Sequence, residues 1–546
     1  MFLKRLYPKY DFKIKDLRRS IPWLHLDGVT FQFMETWGIG IFLIAYALQL
    51  KANYFHIGIL LALPYLGNLS QLVGAYLVEK YRKRKLINFF TVLISRSAIL
   101  LVSSLVFFKT NSFVVYFLIF FYMIRYFVGN TGGSPWNSWM RDLIPRRIMG
   151  RYFARRLKYM TLAAIGASAI GAFIETKWKA VSPDTVIYSY ALIIFLAALS
   201  GFVELFALFK ITEPPMPDVA EGQESMSFLS KMKMPFNDMN YRKLMVFIGL
   251  WNFAIFLAFP FFGPYLLDTI KLDASMVSYL TILSQITNVL VIGIWGGLSD
   301  RFSNKSVLSF ACPLYLFAIF MWIFTTFPTP HGFTMPLLII IYSLVGIAQA
   351  GVNLSTANIA LKLAPSGGSA TYLSANGIII SISAGIAPII GGIAADIFKY
   401  MKLEMSWRFE AKNLEIIVNT LSISHWDFLF IFSTLLGLYS LSKLNEVVET
   451  GEVEEKIVVK EFFAKTSQSI GSLSNINGVK AAFLFMSPFE YEEVLEEDPV
   501  TKELKKKIIK KRKKRKPALT FIRKDKSNAN PIEDKDKTEG NTNHSN

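Results

Sequence analysis

Long apolar stretches alternate with short polar segments along most of the chain. A helix needs about 20 apolar residues to cross the hydrocarbon core of a membrane, and the sequence offers twelve such stretches. They lie near residues 28–50, 56–78, 86–108, 114–136, 159–175, 186–210, 245–267, 275–297, 306–327, 336–361, 372–398 and 426–442. The pattern therefore predicts an all-α membrane protein with twelve transmembrane helices.

The composition agrees with this prediction and excludes other classes. Of 546 residues, 53% are hydrophobic and 18% are charged, whereas soluble proteins carry about 25% charged residues. Basic side chains interrupt residues 1–25, so we expect no cleaved signal peptide. The single cysteine, Cys312, excludes a disulfide framework.

The loops on the two sides of the predicted helices differ in charge. Lys and Arg number about 27 in the loops on the side of the N-terminus and about 9 in the opposite loops. Cationic loops stay in the cytoplasm during insertion, so both termini are expected there. With a composition rich in Lys, Ile and Asn, this predicts a multi-pass protein of a bacterial cell (inner) membrane.

The second half of the chain repeats the first at an offset of about 220 residues. The matched positions are Leu77–Tyr81 with Leu298–Phe302, Pro145 with Pro365, Tyr152 with Tyr372, Asn68 with Asn288, and Gly171 with Gly391. We predict two six-helix bundles, 25–211 and 244–443, joined by a polar cytoplasmic connector over 212–243. Residues 1–24 form a cytoplasmic segment and residues 444–546 a cytoplasmic tail. Two halves joined in this way are typical of rocker-switch transporters, which hold the substrate between them.

Two loops and one helix carry motifs of a known family. The loop after the eighth predicted helix reads Gly296-Gly297-Leu298-Ser299-Asp300-Arg301-Phe302-Ser303-Asn304-Lys305. It resembles the signature G-x-L-x-D-R-x-G-R-[KR] of the major facilitator superfamily. The loop after the second helix, from Gly74 to Arg84, holds a degenerate copy, and Arg125-x-x-x-Gly129 resembles the family's R-x-x-x-G pattern. The resemblance covers about residues 25–443 and implies a cavity lined by helices 1, 4, 7 and 10.

Charged side chains in the two signature loops are the predicted cytoplasmic gate. Glu79 and Asp300 can each cap the next helix and pair with basic residues across the gap between the bundles. We assign supporting roles to Lys80 and Arg301. Ordinary positively charged turns are the alternative.

Ionisable residues inside membrane helices are costly and default to functional candidates. In the cavity that the resemblance implies, Glu35 would be the protonation switch, with Gln32 beside it on the same helix. Arg125 would be the partner of Glu35 or the anchor for an anionic substrate group, and a static ion pair is the alternative. We also expect Arg96 to pair with Glu204, and Asp27 to cap its helix near the interface. In the second half, Asn252, Gln349 and Asn353 supply amides and indicate a polar, hydrogen-bonding substrate.

Motifs for catalysis and for cofactors are missing from the sequence. It holds no HExxH, no phosphate-binding GxxxxGK[ST] and no GxSxG, so we predict no enzyme, no cofactor and no metal site. The tail carries a basic run, 505–516, above an apolar stripe of Val500, Leu504 and Ile508. This pattern predicts a helix on anionic membrane lipids rather than a nucleic-acid partner.

The sequence thus predicts a secondary active transporter. It would act as a monomer and move a small polar solute by rocker-switch alternating access, coupled to protons. Two alternatives stay open. One is a sensor or assembly factor of the same fold that does not transport, and the other is a flippase for a lipid or lipid-linked substrate.

Overall fold

The computed structural model describes residues 6–8, 12–108, 113–216, 228–326, 332–365, 369–411, 414–449 and 455–473. All of them belong to one compact unit, Met1–Lys480. Within them, twelve helical spans are long and apolar enough to cross a membrane, which confirms the predicted number. The predicted tail helix with Val500, Leu504 and Ile508 lies outside the described residues.

The first six spans are built from helices α1 to α9. They are α1 (Ile14–Ile39) and α2 (Ile41–Gln49) in span 1, α3 (Tyr54–Asn68) and α4 (Gln71–Tyr81) in span 2, α5 (Arg84–Ser104) in span 3, α6 (Val114–Thr131) and α7 (Gly133–Leu143) in span 4, α8 (Arg146–Val181) in span 5, and α9 (Val186–Lys210) in span 6. Spans 1, 2 and 4 are each broken into two helices. Such breaks are tolerated in a membrane where neighbouring helices satisfy the freed backbone groups.

The second six spans run from α11 to α17. A short α10 (Phe228–Asn237) leads to α11 (Met239–Ala258), α12 (Phe262–Pro264) and a π-helical turn (Tyr265–Thr269) in span 7, α13 (Ala274–Arg301) in span 8, α14 (Asn304–Phe320) in span 9, α15 (Thr334–Leu363) in span 10, α16 (Ser369–Phe398) in span 11, and α17 (Trp426–Asn445) in span 12. A further helix, α18 (Glu455–Leu473), follows span 12.

Spans 11 and 12 are joined by a β-hairpin that the sequence analysis did not predict. Strands β1 (Lys402–Ala411) and β2 (Leu414–Ser424) pair antiparallel, with a register shift between Met405 and Ser406. β-branched residues over 416–418 favour a strand, but a search for membrane-length apolar stretches passes over so short a run. We call this side of the molecule the hairpin side, and the opposite side, which carries residues 212–216 and 228–238, the connector side.

Equivalent positions in the two halves share local structure. Lys51 and Lys271 stand 220 residues apart, before α3 and α13, and both have a left-handed backbone, with φ of 64° and 63°. On the connector side, Glu213 accepts a hydrogen bond from the backbone N–H of Lys85 at 3.2 Å. Lys305 lies 220 residues after Lys85, and its backbone N–H donates a hydrogen bond to Glu449 at 2.7 Å. These pairs support the internal repeat.

The two halves pack closely on the hairpin side. Spans 2 and 11 approach so closely that a Cβ atom on Gly58 would lie 2.4 Å from the carbonyl oxygen of Pro388. A Cβ atom on Gly392 would lie 2.5 Å from the carbonyl oxygen of Tyr54. These contacts involve α3, whereas α4, the connector-side part of span 2, makes no comparable contact with α16 in the described part of the chain. The space between the bundles therefore opens toward the connector side.

Candidate functional site

A cavity of about 570 Å³ lies between the bundles, beneath the hairpin-side contact. This volume is in the range of small-molecule sites. Its polar lining residues are Gln32, Glu35 and Thr36 from span 1, Asn68 from span 2, Asn130 from span 4, Ser168 from span 5, and Ser278, Thr281 and Gln285 from span 8. Phe31, Phe42 and Tyr65 add aromatic surface. Both halves contribute, as expected where a solute is held between moving bundles.

An ion pair stands at the wall of this cavity. Glu35 and Arg125 form a hydrogen-bonded salt bridge. The Glu35 side chain is 21% exposed and the Arg125 side chain only 2%, so the acid faces the cavity and the base lies behind it. The Arg125 guanidinium lies 3.9 Å from the centre of the Tyr126 ring, and its Nε has no hydrogen-bond partner among the described residues. Loss of the Glu35 charge would therefore leave a buried cation without its acid.

The predicted amides divide between two places. Gln32 lines the cavity, and its Nε2 donates to the Thr36 hydroxyl at 3.4 Å. Asn252 instead donates to the Ile248 carbonyl of its own helix at 2.8 Å. Gln349 is half-buried and Asn353 is exposed on α15. Asn252, Gln349 and Asn353 are not among the residues that line the cavity. The sequence shows which residues share a helix face, but it does not show toward which neighbour that face is turned.

Span 8 supplies the amide that the second half brings to the cavity. Gln285 lines the wall together with Ser278 and Thr281. The Gln285 Oε1 is buried and has no hydrogen-bond partner in the described residues. The sequence signal that points to Gln285 is an amide inside a membrane-length helix.

The four predicted gate residues lie at the connector side. Glu79 and Asp300 are exposed, and neither forms an ion pair with a described residue. The Lys80 ammonium lies 5.5 Å from the centre of the Tyr81 ring, and Arg301 pairs with Glu461 of α18. Because this side is open, the residues that would close it stand apart, and their role as a latch stays a prediction.

Arg96 and Asp27 each belong to a buried ion pair of the first bundle. The predicted pair of Arg96 with Glu204 is confirmed, with Nε–Oε2 and Nη2–Oε1 distances of 3.0 and 2.9 Å. The prediction that Asp27 caps its helix is wrong, because α1 runs from Ile14 to Ile39 and Asp27 lies in its middle. Asp27 is 2% exposed and pairs with Arg156 at 2.6 Å. In the part of the chain that the structure describes, no acids join His or Cys in a group that could hold a metal ion.

Solved structures of transporters share this architecture. The chain resembles a point mutant of the nucleoside transporter NupG with a TM-score of 0.59 and 14% identity, over 79% of this chain and 100% of that one. For the xylose transporter XylE from E. coli, in an inward-open conformation, the TM-score is 0.56 and the identity 11%, over 79% and 96%. For a bacterial homologue of the iron transporter ferroportin, in an inward-facing state, the TM-score is 0.56 and the identity 12%, over 78% of this chain and 98% of that one. Identities this low show a shared fold alone.

The sequence itself decides the family. Curated protein sequences give no match. The model of the Major Facilitator Superfamily matches residues 28–388 and 244–444, which together cover most of the chain and all or most of each of the twelve spans. The chain therefore belongs to the Major Facilitator Superfamily, and is a multi-pass membrane transporter, with twelve spans in its described part, rather than an enzyme.

Proposed function

We propose that the chain moves a small polar solute across the membrane by alternating access and that protons drive this movement through Glu35. The observation that carries the proposal is the Glu35–Arg125 pair on the cavity wall. Water from the open side reaches the carboxylate, which can exchange a proton there. Closure of that side would dry the cavity, and the charge state of Glu35 would then be fixed by Arg125 and by the bound solute.

The wall chemistry indicates what kind of solute fits. No Lys or Arg stands among the described lining residues, and one carboxylate does. Amide and hydroxyl oxygens, including the unpartnered Gln285 Oε1, accept hydrogen bonds from hydroxyl or amino groups. We therefore expect a neutral or cationic solute rich in such donors. Arg125 lies behind Glu35, which argues against its use as an anchor for an anion in this state.

Transport into proteoliposomes tests the proposal. Nucleosides and pentoses form the first set of labelled solutes, because structural neighbours are named for nucleosides and xylose, and amino acids and organic cations form the second. We expect one class to accumulate when a proton gradient is imposed. Glu35→Gln should abolish accumulation against a gradient while solute still equilibrates. Glu404→Gln, the same change at an exposed position on β1, is the matched control and should behave as the parent protein.

Other outcomes would contradict the proposal. Full gradient-driven accumulation by Glu35→Gln would remove the proton-coupling role. A folded protein that moves no solute would favour the sensor or assembly alternative. Transfer of labelled lipid between leaflets, without solute flux, would favour the flippase.

A further inference from the structure

We propose that two carboxylates, Glu175 and Asp396, lock the hairpin side by capping a helix of the opposite half. The inference rests on the two-state cycle proposed above, because a lock matters only if this side also opens. It concerns different residues from the cavity and can be measured without any solute.

The first cap joins span 11 to span 2. Asp396, near the end of α16, accepts hydrogen bonds from the backbone N–H of Tyr54 at 3.3 Å and of Phe55 at 3.0 Å. These are the first two residues of α3. The N–H groups of a first helical turn have no partner within their own helix. The Asn53 side chain accepts from the N–H of His56, at 2.9 Å, and the acid of the other half pairs with the first two N–H groups and completes the cap.

The second cap joins span 5 to span 8 in the reverse direction. Glu175, in α8 of the first half, accepts a hydrogen bond from the N–H of Ala274 at 3.2 Å. Ala274 is the first residue of α13. The Tyr190 hydroxyl donates to the same Glu175 oxygen at 2.7 Å and fixes the side chain. Glu175 is 1% exposed, so the contact is shielded from water.

The two caps are equivalent in the internal repeat. Tyr54 and Ala274 stand 220 residues apart, as do Lys51 and Lys271 in the left-handed turns before them. Glu175 and Asp396 are 221 apart. Each half thus supplies one acid and receives one cap, and both caps lie at the same side of the molecule. Because the arrangement occurs in both halves, we interpret the two caps as a functional feature of the fold rather than as chance contacts.

The physical chemistry explains why these contacts would hold the closed side. A carboxylate at a helix N-terminus interacts with both the free N–H groups and the helix dipole, and such charge-assisted hydrogen bonds are among the stronger ones. Opening would break both caps at once, because acid and helix belong to different halves. Lys179 and Asp273 also pair across the interface, but their side chains are each 47% exposed, and exposed pairs contribute little.

A distance measurement between spin labels tests the lock. Labels are placed at Lys51→Cys and Lys271→Cys, both exposed on the hairpin side, after Cys312→Ser removes the native thiol. Double electron–electron resonance then reports the separation of the halves in nanodiscs without solute. Both variants keep an acceptor oxygen but remove the negative charge at the helix N-terminus. We expect Glu175→Gln and Asp396→Asn each to raise the ratio of open to closed hairpin side about tenfold, equivalent to roughly 1.4 kcal/mol. The double variant should shift further.

Two variants serve as controls. Asp184→Asn makes the same change at an exposed acid on the hairpin side and should leave the distance distribution unchanged. Asp396→Glu keeps the charge and should remain mostly closed. The lock is overturned if both cap variants match Asp184→Asn, or if Asp396→Glu opens as far as Asp396→Asn. A shifted distance with no transport of any solute would instead retain the lock and refute the proposed function.

Discussion

At the scale of single residues, a buried acid on the connector side shows how partners set the protonation of a carboxyl group. Glu449 is 4% exposed. Burial alone would raise the pKa of Glu449, but the backbone N–H of Lys305, the Lys362 ammonium and the Asn304 amide together hold this pKa below its ordinary value. The charged form of Glu449 therefore stabilises the folded state and ties spans 9 and 10 to the end of span 12.

Replacement of this acid should have a cost that depends on pH. An acid whose pKa is lowered on folding stabilises the folded state at pH values above its unfolded pKa, which is near 4.3 for Glu. This stabilisation is lost as the pH falls through the lower pKa of the folded state. We expect Glu449→Gln to reduce the free energy of unfolding by about 1–3 kcal/mol at pH 7 and by less near pH 4. Thermal unfolding in detergent measures this. Glu446→Gln, an exposed acid three residues earlier, is the control, and an equal loss in both variants would contradict the assignment.

Residue chemistry made two of the three membrane-buried ion pairs predictable. A charge in a membrane helix needs a partner, and this argument links Glu35 to Arg125 and Arg96 to Glu204 from the sequence alone. It failed for Asp27 because its partner, Arg156, lies outside the apolar stretch at 159–175. The helix that carries Arg156 begins at Arg146, so it extends beyond its apolar part and brings this base to Asp27.

At the scale of elements, α18 shows how a segment outside the membrane is attached. Phe462 is 6% exposed and stacks on the buried Trp295 ring, with 4.4 Å between ring centres. Its neighbour Glu461 pairs with Arg301 of span 8. The aromatic contact is shielded from water and the ion pair is partly exposed, so Phe462 should contribute most of the attachment energy.

Removal of the buried ring should therefore release α18. We expect Phe462→Ala to cost about 3 kcal/mol of local stability and to abolish hydrogen-exchange protection over residues 457–466. Phe463→Ala removes the adjacent ring, which is 63% exposed, and should leave protection unchanged. Protection that survives Phe462→Ala would show that other contacts hold the helix.

The elements differ in how well the sequence indicated them. Membrane spans are set by a strong single requirement, a long apolar helix, and the predicted positions agree with the structure to within a few residues except where helices extend past their apolar parts. The β1–β2 hairpin and α18 obey no such requirement. The rotation of α15, which carries Gln349 and Asn353, depends on packing against several neighbours and cannot be read from its own sequence.

At the scale of the whole molecule, the close approach of spans 2 and 11 should control which side is open. A methyl group on Gly392 would meet the backbone of Tyr54 and Phe55, and backbone cannot yield as a flexible side chain can. Gly392→Ala should therefore separate the halves on the hairpin side, at an overpacking cost of about 1–3 kcal/mol. The label pair at Lys51 and Lys271 would report a longer distance.

A second glycine of the same helix provides the control. Apart from the adjacent residues of its own helix, no described residue has an atom within 4 Å of where the Cβ of Gly377 would lie. Gly377→Ala makes the same chemical change in α16 and should keep the parent distance. If both variants gave the same distribution, helix propensity rather than close packing would explain the effect.

The repeat has a consequence for how this chain tolerates mutation. The two caps are duplicates, so a substitution in one weakens the contact between the halves but leaves the other cap in place. The Glu35–Arg125 ion pair has no second copy in the other half, because Ile255 and Val345 occupy the equivalent positions. The cap thus occurs in both halves, whereas the ion pair of the cavity wall occurs in one. Random substitution should therefore disable this transporter far more readily at Glu35 than at either cap.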